Sequence, residues 1–271
     1  MTFNLGHLTL FRFNGPDSAR YLSGQVTQKI EDLQPGESRH GFLCDAKGRI
    51  QFDITIARIN NDYFISQDGG DRTELEARLT RYLIADDCEA TDVSDDYFLR
   101  HSFSPEGPIN RFGQQGEDKF IERTNEDVTF SDPKELNTHR ISKGRPAFPD
   151  FLEAFPTETG LEDEFISYAK GCYLGQEVIS RMKRAGKTNR QLRFIQLSGP
   201  LSAKQDDLFF YPPTSEEEAD TSSKPLLKIT SLDLSSSEPR PALGYLSTRY
   251  SGEFLLSPSG AKAKFIKSSN L

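Results

Sequence analysis

From residue 49 to 59 apolar and polar side chains alternate. Ile50, Phe52, Ile54 and Ile56 fall on one side, and Gln51, Asp53 and Thr55 on the other. A two-residue period predicts a half-buried strand. Asn60-Asn61-Asp62 supplies a turn and Tyr63-Phe64-Ile65-Ser66 a return strand, so this stretch reads as a hairpin. Before it, Asp17 follows Pro16 and can cap a short helix over 17–31, with Tyr21, Leu22 and Val26 as apolar contacts and Gly24 as an interruption. After it, Thr73-Glu74-Leu75-Glu76 reads as a capping box, opening a helix whose Leu75, Leu79 and Leu83 share a face. Residues 88–130 are polar, with short strand-like pieces and frequent breakers. Helix, hairpin and helix in this order predict an α+β fold, not an alternating parallel one.

The texture changes further on. Residues 137–165 look irregular, with Pro146, Pro149 and Pro156 among several acids. Val178, Ile179 and Met182 then recur at helical spacing, with Arg181 and Arg184 on the other face and Glu177 four residues before Arg181. Gly186-Lys187-Thr188-Asn189 closes that helix. From Leu192 the chain reads as short strands separated by Gly, Pro and Ser: 192–197, 208–211, 226–229, 242–246 and 263–266. This pattern predicts a small C-terminal β-barrel over 191–271. Pro212 to Pro225, with Ser215-Glu216-Glu217-Glu218, reads as a mobile loop between strands. No internal repeat of solenoid period is visible.

The segment just before the third helix carries the most distinctive chemistry: Lys170-Gly171-Cys172-Tyr173-Leu174-Gly175-Gln176-Glu177. One thiol stands between two glycines, with a cation ahead and a helix behind. A helix N-terminus and Lys170 would both favour a thiolate at Cys172, making it a candidate nucleophile or redox-sensitive group. The plainer alternative is a small residue in a tight turn. Asp53 is the second candidate: strand parity puts its carboxylate on the polar face, where it either meets solvent or faces a pocket.

The octapeptide resembles the signature of the YgfZ-type folate-binding proteins, relatives of the glycine-cleavage T protein, a tetrahydrofolate-dependent aminomethyltransferase. Three further blocks resemble that family in the same order: Gly15 to Ser18 with Tyr21 to Thr27, then Cys44 to Arg49, then Gly144-Arg145-Pro146 with Pro156-Thr157-Glu158. Together the blocks cover roughly the first 190 residues. The resemblance implies an aminomethyltransferase-like folate-binding body over 1–190, made of two subdomains divided near 90–135, followed by the barrel. It implies tetrahydrofolate or another folate as cofactor, and Asp53, Lys170, Gly171, Tyr173, Gly175, Gln176, Glu177 and Arg181 as residues near it. It also implies a role in iron–sulfur cluster assembly or repair, with client or assembly proteins as partners and Cys172 as the functional thiol. One cysteine does not hold a cluster alone, since four ligands are the norm; Cys44 is a possible neighbour. Aminomethyltransferases resemble this chain less closely. They carry two adjacent aspartates on the matching strand, where this chain has Phe52-Asp53, and their counterpart of the octapeptide lacks the cysteine. A true aminomethyltransferase and an RNA-modification factor are the rival readings.

Composition narrows the field. Three cysteines, Cys44, Cys88 and Cys172, are too few and too scattered for a disulfide framework and fit a reducing compartment. No secretory or transit-like leader is visible at the N-terminus, and no run spans a bilayer; the expectation is the cytoplasm, or the mitochondrial matrix in a eukaryote. His7, His40, His101 and His139 are scattered, and no zinc spacing, Walker pattern or nucleophile elbow occurs. The net charge of −8 argues against a general nucleic-acid binder. Residues 170–193 nevertheless hold seven basic residues and one acid, which suits a local anion, a folate glutamate tail or a phosphate backbone. Trp is absent, so any pterin stacking falls to Phe42 or Tyr173.

Overall fold

The computed structural model describes residues 2–6, 8–108, 110–124, 128–148, 150–201 and 208–265. The chain divides into two compact units. The first comprises 1–133, 147–157 and 161–185; the second comprises 134–146, 158–160 and 186–271.

The first unit contains β1 (Thr2–Leu5), β2 (Thr9–Asn14), α1 (Ser18–Ser23), β3 (Ser38–Cys44), β4 (Ile50–Ile59), β5 (Asp62–Gln67), α2 (Arg72–Thr80), β6 (Glu89–Asp92), β7 (Tyr97–Phe103) and β8 (Gly116–Glu122). Five strands form an antiparallel sheet in the order β3-β4-β5-β2-β6, and three form a second in the order β1-β7-β8. The alternation in β4 has the predicted sense. Phe52, Ile54 and Ile56 pack with Phe11, Phe13 and Ile65 against Leu22, Leu75 and Leu79 of the helices. The opposite face is also buried: Leu10, Ala57 and Phe64 meet Phe98, Leu99 and Phe120 of the smaller sheet. Each large side chain so buried contributes about 1.5–3 kcal/mol relative to exposure. The five-stranded sheet is thus the middle layer, and its second face becomes polar at one end, where the site lies.

The second unit begins with α3 (Pro133–Ser142) and continues beyond α4 (Glu162–Phe165) and α5 (Gln176–Ala185), both of which belong to the first. Its strands are β9 (Arg190–Ser198), β10 (Phe209–Phe210), β11 (Leu227–Leu232), β12 (Arg240–Ser247), β13 (Phe254–Leu256) and β14 (Lys262–Phe265). They form one sheet in the order β10-β11-β12-β9-β14-β13. Tyr211 and Leu256 exchange N–H···O=C bonds of 2.8 and 3.1 Å, which join the two ends and nearly close the predicted barrel. Ile195, Leu197, Phe210, Ile229 and Leu255 fill it, with Ala242 and Ala263 where space is short.

Several elements differ from expectation. The first helix stops at Ser23, because Val26 and Thr27 are drawn into pairing with β3; the Thr27 N–H donates to Phe42 O at 3.0 Å. Asp71, not Thr73, caps α2, its Oδ1 accepting from the Thr73 and Glu74 amides at 2.7 and 3.1 Å. The expected irregular stretch begins with α3, which has Pro133 at its first position, where no N–H is needed. Residues 212–225 form a tied turn, with Pro213 bridging Ala219 and Thr214 N–H donating to Glu218 O at 2.9 Å. Ile266, placed in the last expected strand, lies outside the described residues.

Candidate functional site

In β4, Asp53 stands opposite Phe42 of β3, on the face that meets the smaller sheet. Its neighbours are charged. The Arg111 guanidinium, from the segment between β7 and β8, donates to Asp53 Oδ2, and its Nη1 lies 3.5 Å from Asp68 Oδ2. His101 and Asp118 are directly paired across β7 and β8, and His101 Nδ1 bonds Asp118 Oδ1. Asp118 Oδ2 accepts from the Arg111 amide at 2.6 Å and lies 3.1 Å from His40 Nε2. His101 Nε2 faces Asp68 Oδ2 at 3.8 Å. Asp53 and His101 are fully buried and Arg111 and Asp118 nearly so.

Burial pushes the Asp53 carboxyl up, against the pull of Arg111. At Asp118 burial is outweighed by His101 and then His40, which hold the carboxyl well below the usual range. Burial would lower His101, but Asp118 and then Asp68 outweigh it and raise the imidazole from 6.5 to about 9. A base raised on folding adds stability in full below its unfolded pKa, and that stability is lost as pH climbs toward the folded value. The unfolding free energy should therefore fall by about 1–2 kcal/mol between roughly pH 6.5 and 8. That window stops short of the range where Lys170, pushed down to about 8 by burial, acts in the opposite sense. Denaturant titrations of the native chain and of Asp118→Asn check this: the variant should lose the slope, and an equal slope in both would remove His101 as its source.

The cluster is not self-sufficient. Among the described residues Asp53 Oδ1, Asp68 Oδ1 and Ser66 Oγ, all on this face, are buried without a hydrogen-bond partner. Buried polar atoms left unpaired are costly, so so many in one place mark a site built for something else. Donors and acceptors are both present. No group of three or more His, Cys, Asp or Glu among the described residues is placed to hold a metal ion.

The octapeptide makes a different set of contacts. Lys170 Nζ donates to three backbone carbonyls, Ser23 O at 2.7 Å, Val26 O at 2.8 Å and Gln28 O at 2.9 Å. Leu174 N–H donates to Gly24 O at 3.1 Å. Gly175 has φ +86°, and a Cβ there would stand 2.5 Å from Asp45 O and 3.0 Å from Gly48 Cα. Three sequence blocks, 21–27, 44–49 and 170–177, thus assemble into one structure, although they are far apart along the chain. Gly175→Ala should lower stability by about 2–3 kcal/mol through the left-handed backbone and this clash. Gly171, with open space around its Cβ position, should tolerate alanine within about 0.5 kcal/mol. Thermal unfolding of both variants tests the contrast, which fails if they shift equally.

The predicted residues therefore fall into two groups. Asp53 sits in the buried ionic cluster. Lys170 and Tyr173 pack around the segment after α1, Gly175 lies against Asp45 and Gly48, and Gly171 is exposed, while Gln176 opens α5 and Glu177 and Arg181 are exposed on it. Only Ile179 of the expected apolar face is fully buried. The helix that was to act on Cys172 starts four residues later, and the ammonium of Lys170 is spent on carbonyls. Cys172 is exposed and borders an open pocket of about 280 Å³ lined by Gly24, Gln25, Tyr82, Tyr173 and Leu174. Cys44 is fully buried, and burial pushes its thiol up. Cys88 is half-buried against the helical core. Of the two proposed stacking residues, Phe42 is enclosed by Phe165 at 4.8 Å and Phe151 at 5.2 Å, and Tyr173 is buried with Lys170 5.3 Å from its ring centre. His40, Asp68, His101, Arg111 and Asp118 escaped the sequence reading; a cross-strand pair such as His101 with Asp118 has no signal until strand register is known.

The chain matches known proteins in three ways. Residues 1–101 match the family described as GCVT N-terminal domain. The tRNA-modifying protein YgfZ of Vibrio atlanticus (strain LGP32) is 23% identical over 212 residues, covering 67% of this chain and 65% of that protein. The tRNA-modifying protein YgfZ of Aliivibrio fischeri (strain MJ11) is 26% identical over 224 residues, covering 70% and 69%. The chain thus spans about two thirds of the length of the curated relatives it matches. The crystal structure of glycine cleavage system aminomethyltransferase T from Bartonella henselae superposes with a TM-score of 0.75 at 13% identity, over 98% of this chain and 84% of that one. The resemblance to YgfZ-type proteins holds, and the fold is that of the aminomethyltransferase: an α+β body followed by a nearly closed β-barrel. No helix among the described residues is long and apolar enough to cross a membrane.

Proposed function

We propose that this chain is a folate-binding accessory protein that supports iron–sulfur cluster assembly or repair, with Cys172 as its functional thiol. The observation that carries the folate part is the buried polar cluster with its unpaired atoms at Asp53, Asp68 and Ser66. A pterin presents an amino group, ring N–H groups and a carbonyl, which match two carboxylates and a hydroxyl. A reduced folate supplies one-carbon chemistry when bound. In this chain Asp53 is engaged by Arg111, and Phe52 fills the helical core in place of a second acid. A carboxylate held in a buried ion pair serves binding better than proton transfer, which favours a binding role over aminomethyl transfer.

The thiol part rests on position. Cys172 is the exposed cysteine of the three, in a segment fixed by Lys170 and Gly175. A second reading, RNA modification, is favoured by the designation of the relatives as tRNA-modifying and by Arg181, Lys183, Arg184 and Lys187, all exposed on or just after α5. Calorimetric titration tests the first reading. Tetrahydrofolate should bind saturably, and Asp53→Asn should weaken it by about 1–3 kcal/mol. Absence of saturable binding to the native chain would remove the folate part. Salt-dependent binding of transfer RNA that is lost on replacing the α5 basic residues would support the second.

A further inference from the structure

His101 has one ring nitrogen committed and one open. It lies in β7, fully buried, opposite Phe3 of β1 and Asp118 of β8. Its Nδ1 bonds Asp118 Oδ1. An ionised carboxylate only accepts, so Nδ1 keeps its hydrogen whether the ring is charged or neutral. Nε2 is buried without a hydrogen-bond partner among the described residues, and Asp68 Oδ2 stands 3.8 Å away, beyond bonding reach. One proton therefore decides whether Nε2 is a donor or an acceptor, and it changes nothing at Nδ1. The charged groups around the ring come from four directions. Asp118 is on β8 and Asp68 follows β5. Arg111 lies 3.5 Å from Asp68 and gives its amide to Asp118. His40 of β3 faces the second oxygen of Asp118 at 3.1 Å. Asp53 of β4 connects to them through Arg111. The Phe112 ring packs edge-to-face on the imidazole at 5.0 Å and adds no charge.

Nε2 shares this site with the unpaired Asp53 Oδ1, Asp68 Oδ1 and Ser66 Oγ. The Asp68 side chain is 15% exposed, so the cluster meets solvent there. Two carboxylate oxygens take N–H groups from a ligand, and a protonated Nε2 gives one back. We propose that His101 is a specificity-determining residue of this site: its protonated Nε2 donates to a carbonyl oxygen on the ligand, beside the N–H groups that Asp53 and Asp68 accept, and loss of that proton releases the ligand. This inference deepens the folate reading and rests on it; in a pterin the acceptor is the ring carbonyl. On the neutral ring a lone pair would face the carbonyl oxygen, leaving two acceptors buried against each other. A chain that has lost the proton must therefore take one from solvent onto Nε2 in order to bind. Against the effect of burial, Asp118 and then Asp68 place the free ring at about 9, and a bound carbonyl raises it further. Affinity is then full below that value and is lost as pH climbs through it.

The test uses 5-formyltetrahydrofolate and the native chain, titrated calorimetrically from roughly pH 7 to 10 in buffers of different ionisation enthalpy. Proton uptake on binding should be near zero at the low end and rise toward one as pH passes about 9, while affinity falls by about tenfold per unit beyond that point. Asp118→Asn keeps an acceptor for Nδ1 and removes the main counter-charge, so the fall should move to lower pH by about one unit or more. The ligand's own ring ionises identically with both chains, so the displacement between them belongs to the protein. Nitrogen NMR of the histidine-labelled, ligand-free native chain gives a reading that needs neither the variant nor the ligand: Nε2 should lose its proton over the same range and Nδ1 should keep it. Saturable binding with unchanged affinity and no proton uptake across the range would overturn the assignment of His101 and leave folate binding standing. Loss of the proton from Nδ1, or a ring already neutral at the low end, would overturn it as well. Absence of saturable binding at every pH would remove the folate reading and this inference together.

Discussion

Asp53→Ala is expected to destabilise the chain by about 3–5 kcal/mol, because it leaves the Arg111 guanidinium buried without its main counter-charge. Asp68, 3.5 Å from Arg111 Nη1, offers partial compensation, which places the effect toward the lower end. Removing both charges in an Asp53→Leu, Arg111→Met variant should recover most of the loss, since a well-packed apolar pair of similar volume avoids the desolvation of two ions. Chemical denaturation of the single and double variants forms a cycle, and purely additive losses would show that the pair does not act as a unit. Asp53→Asn keeps the volume and some of the bonding, which is why it is the better variant for the folate titration.

The second large effect is functional and should leave the fold untouched. Cys172→Ser replaces an exposed thiol that makes no core contact, so its unfolding free energy should stay within about 0.5 kcal/mol of the native value. In a strain lacking the native gene, the same variant should fail to restore iron–sulfur enzyme activities, a loss of at least about tenfold if the sulfur performs the chemistry. Full complementation by a folded Cys172→Ser protein would contradict the assignment. Gly175→Ala is the necessary companion, because a loss there reports on backbone strain, not on sulfur.

Residues 50–56 show what a sequence makes legible. Their period of two placed Asp53 on the face opposite Phe52, and the sheet bears this out. Parity cannot say what lies across that face. Its partner, Arg111, comes from an irregular segment 58 positions away and looks like any other basic residue. His101 with Asp118 was hidden for the same reason, since the pair exists only through the register of β7 and β8. Local propensity erred where tertiary pairing competed with it: Val26 and Thr27 extend a helical pattern but join β3 instead. At Cys172 the motif was clear and its local physics was not, because a tight turn at Gly175 separates the thiol from the start of α5. The barrel was visible as spaced strands, apart from β13, whose three residues are too short to show a period.

The exchange of bonds between Tyr211 and Leu256 bears on behaviour at high concentration. Where the sheet meets itself at Tyr211 and Leu256, fewer N–H and C=O groups are left idle for a strand of a second molecule. In the five-stranded sheet, β3 is covered by Val26 and Thr27, and the other margin, β6, is four residues long with Glu89 and Asp92 at its ends. Shortness and like charge both discourage edge-to-edge stacking. Strand addition is thus discouraged at the barrel seam and at both margins of the five-stranded sheet, and opening the ring by breaking the Tyr211–Leu256 pairing would expose two apolar margins at once.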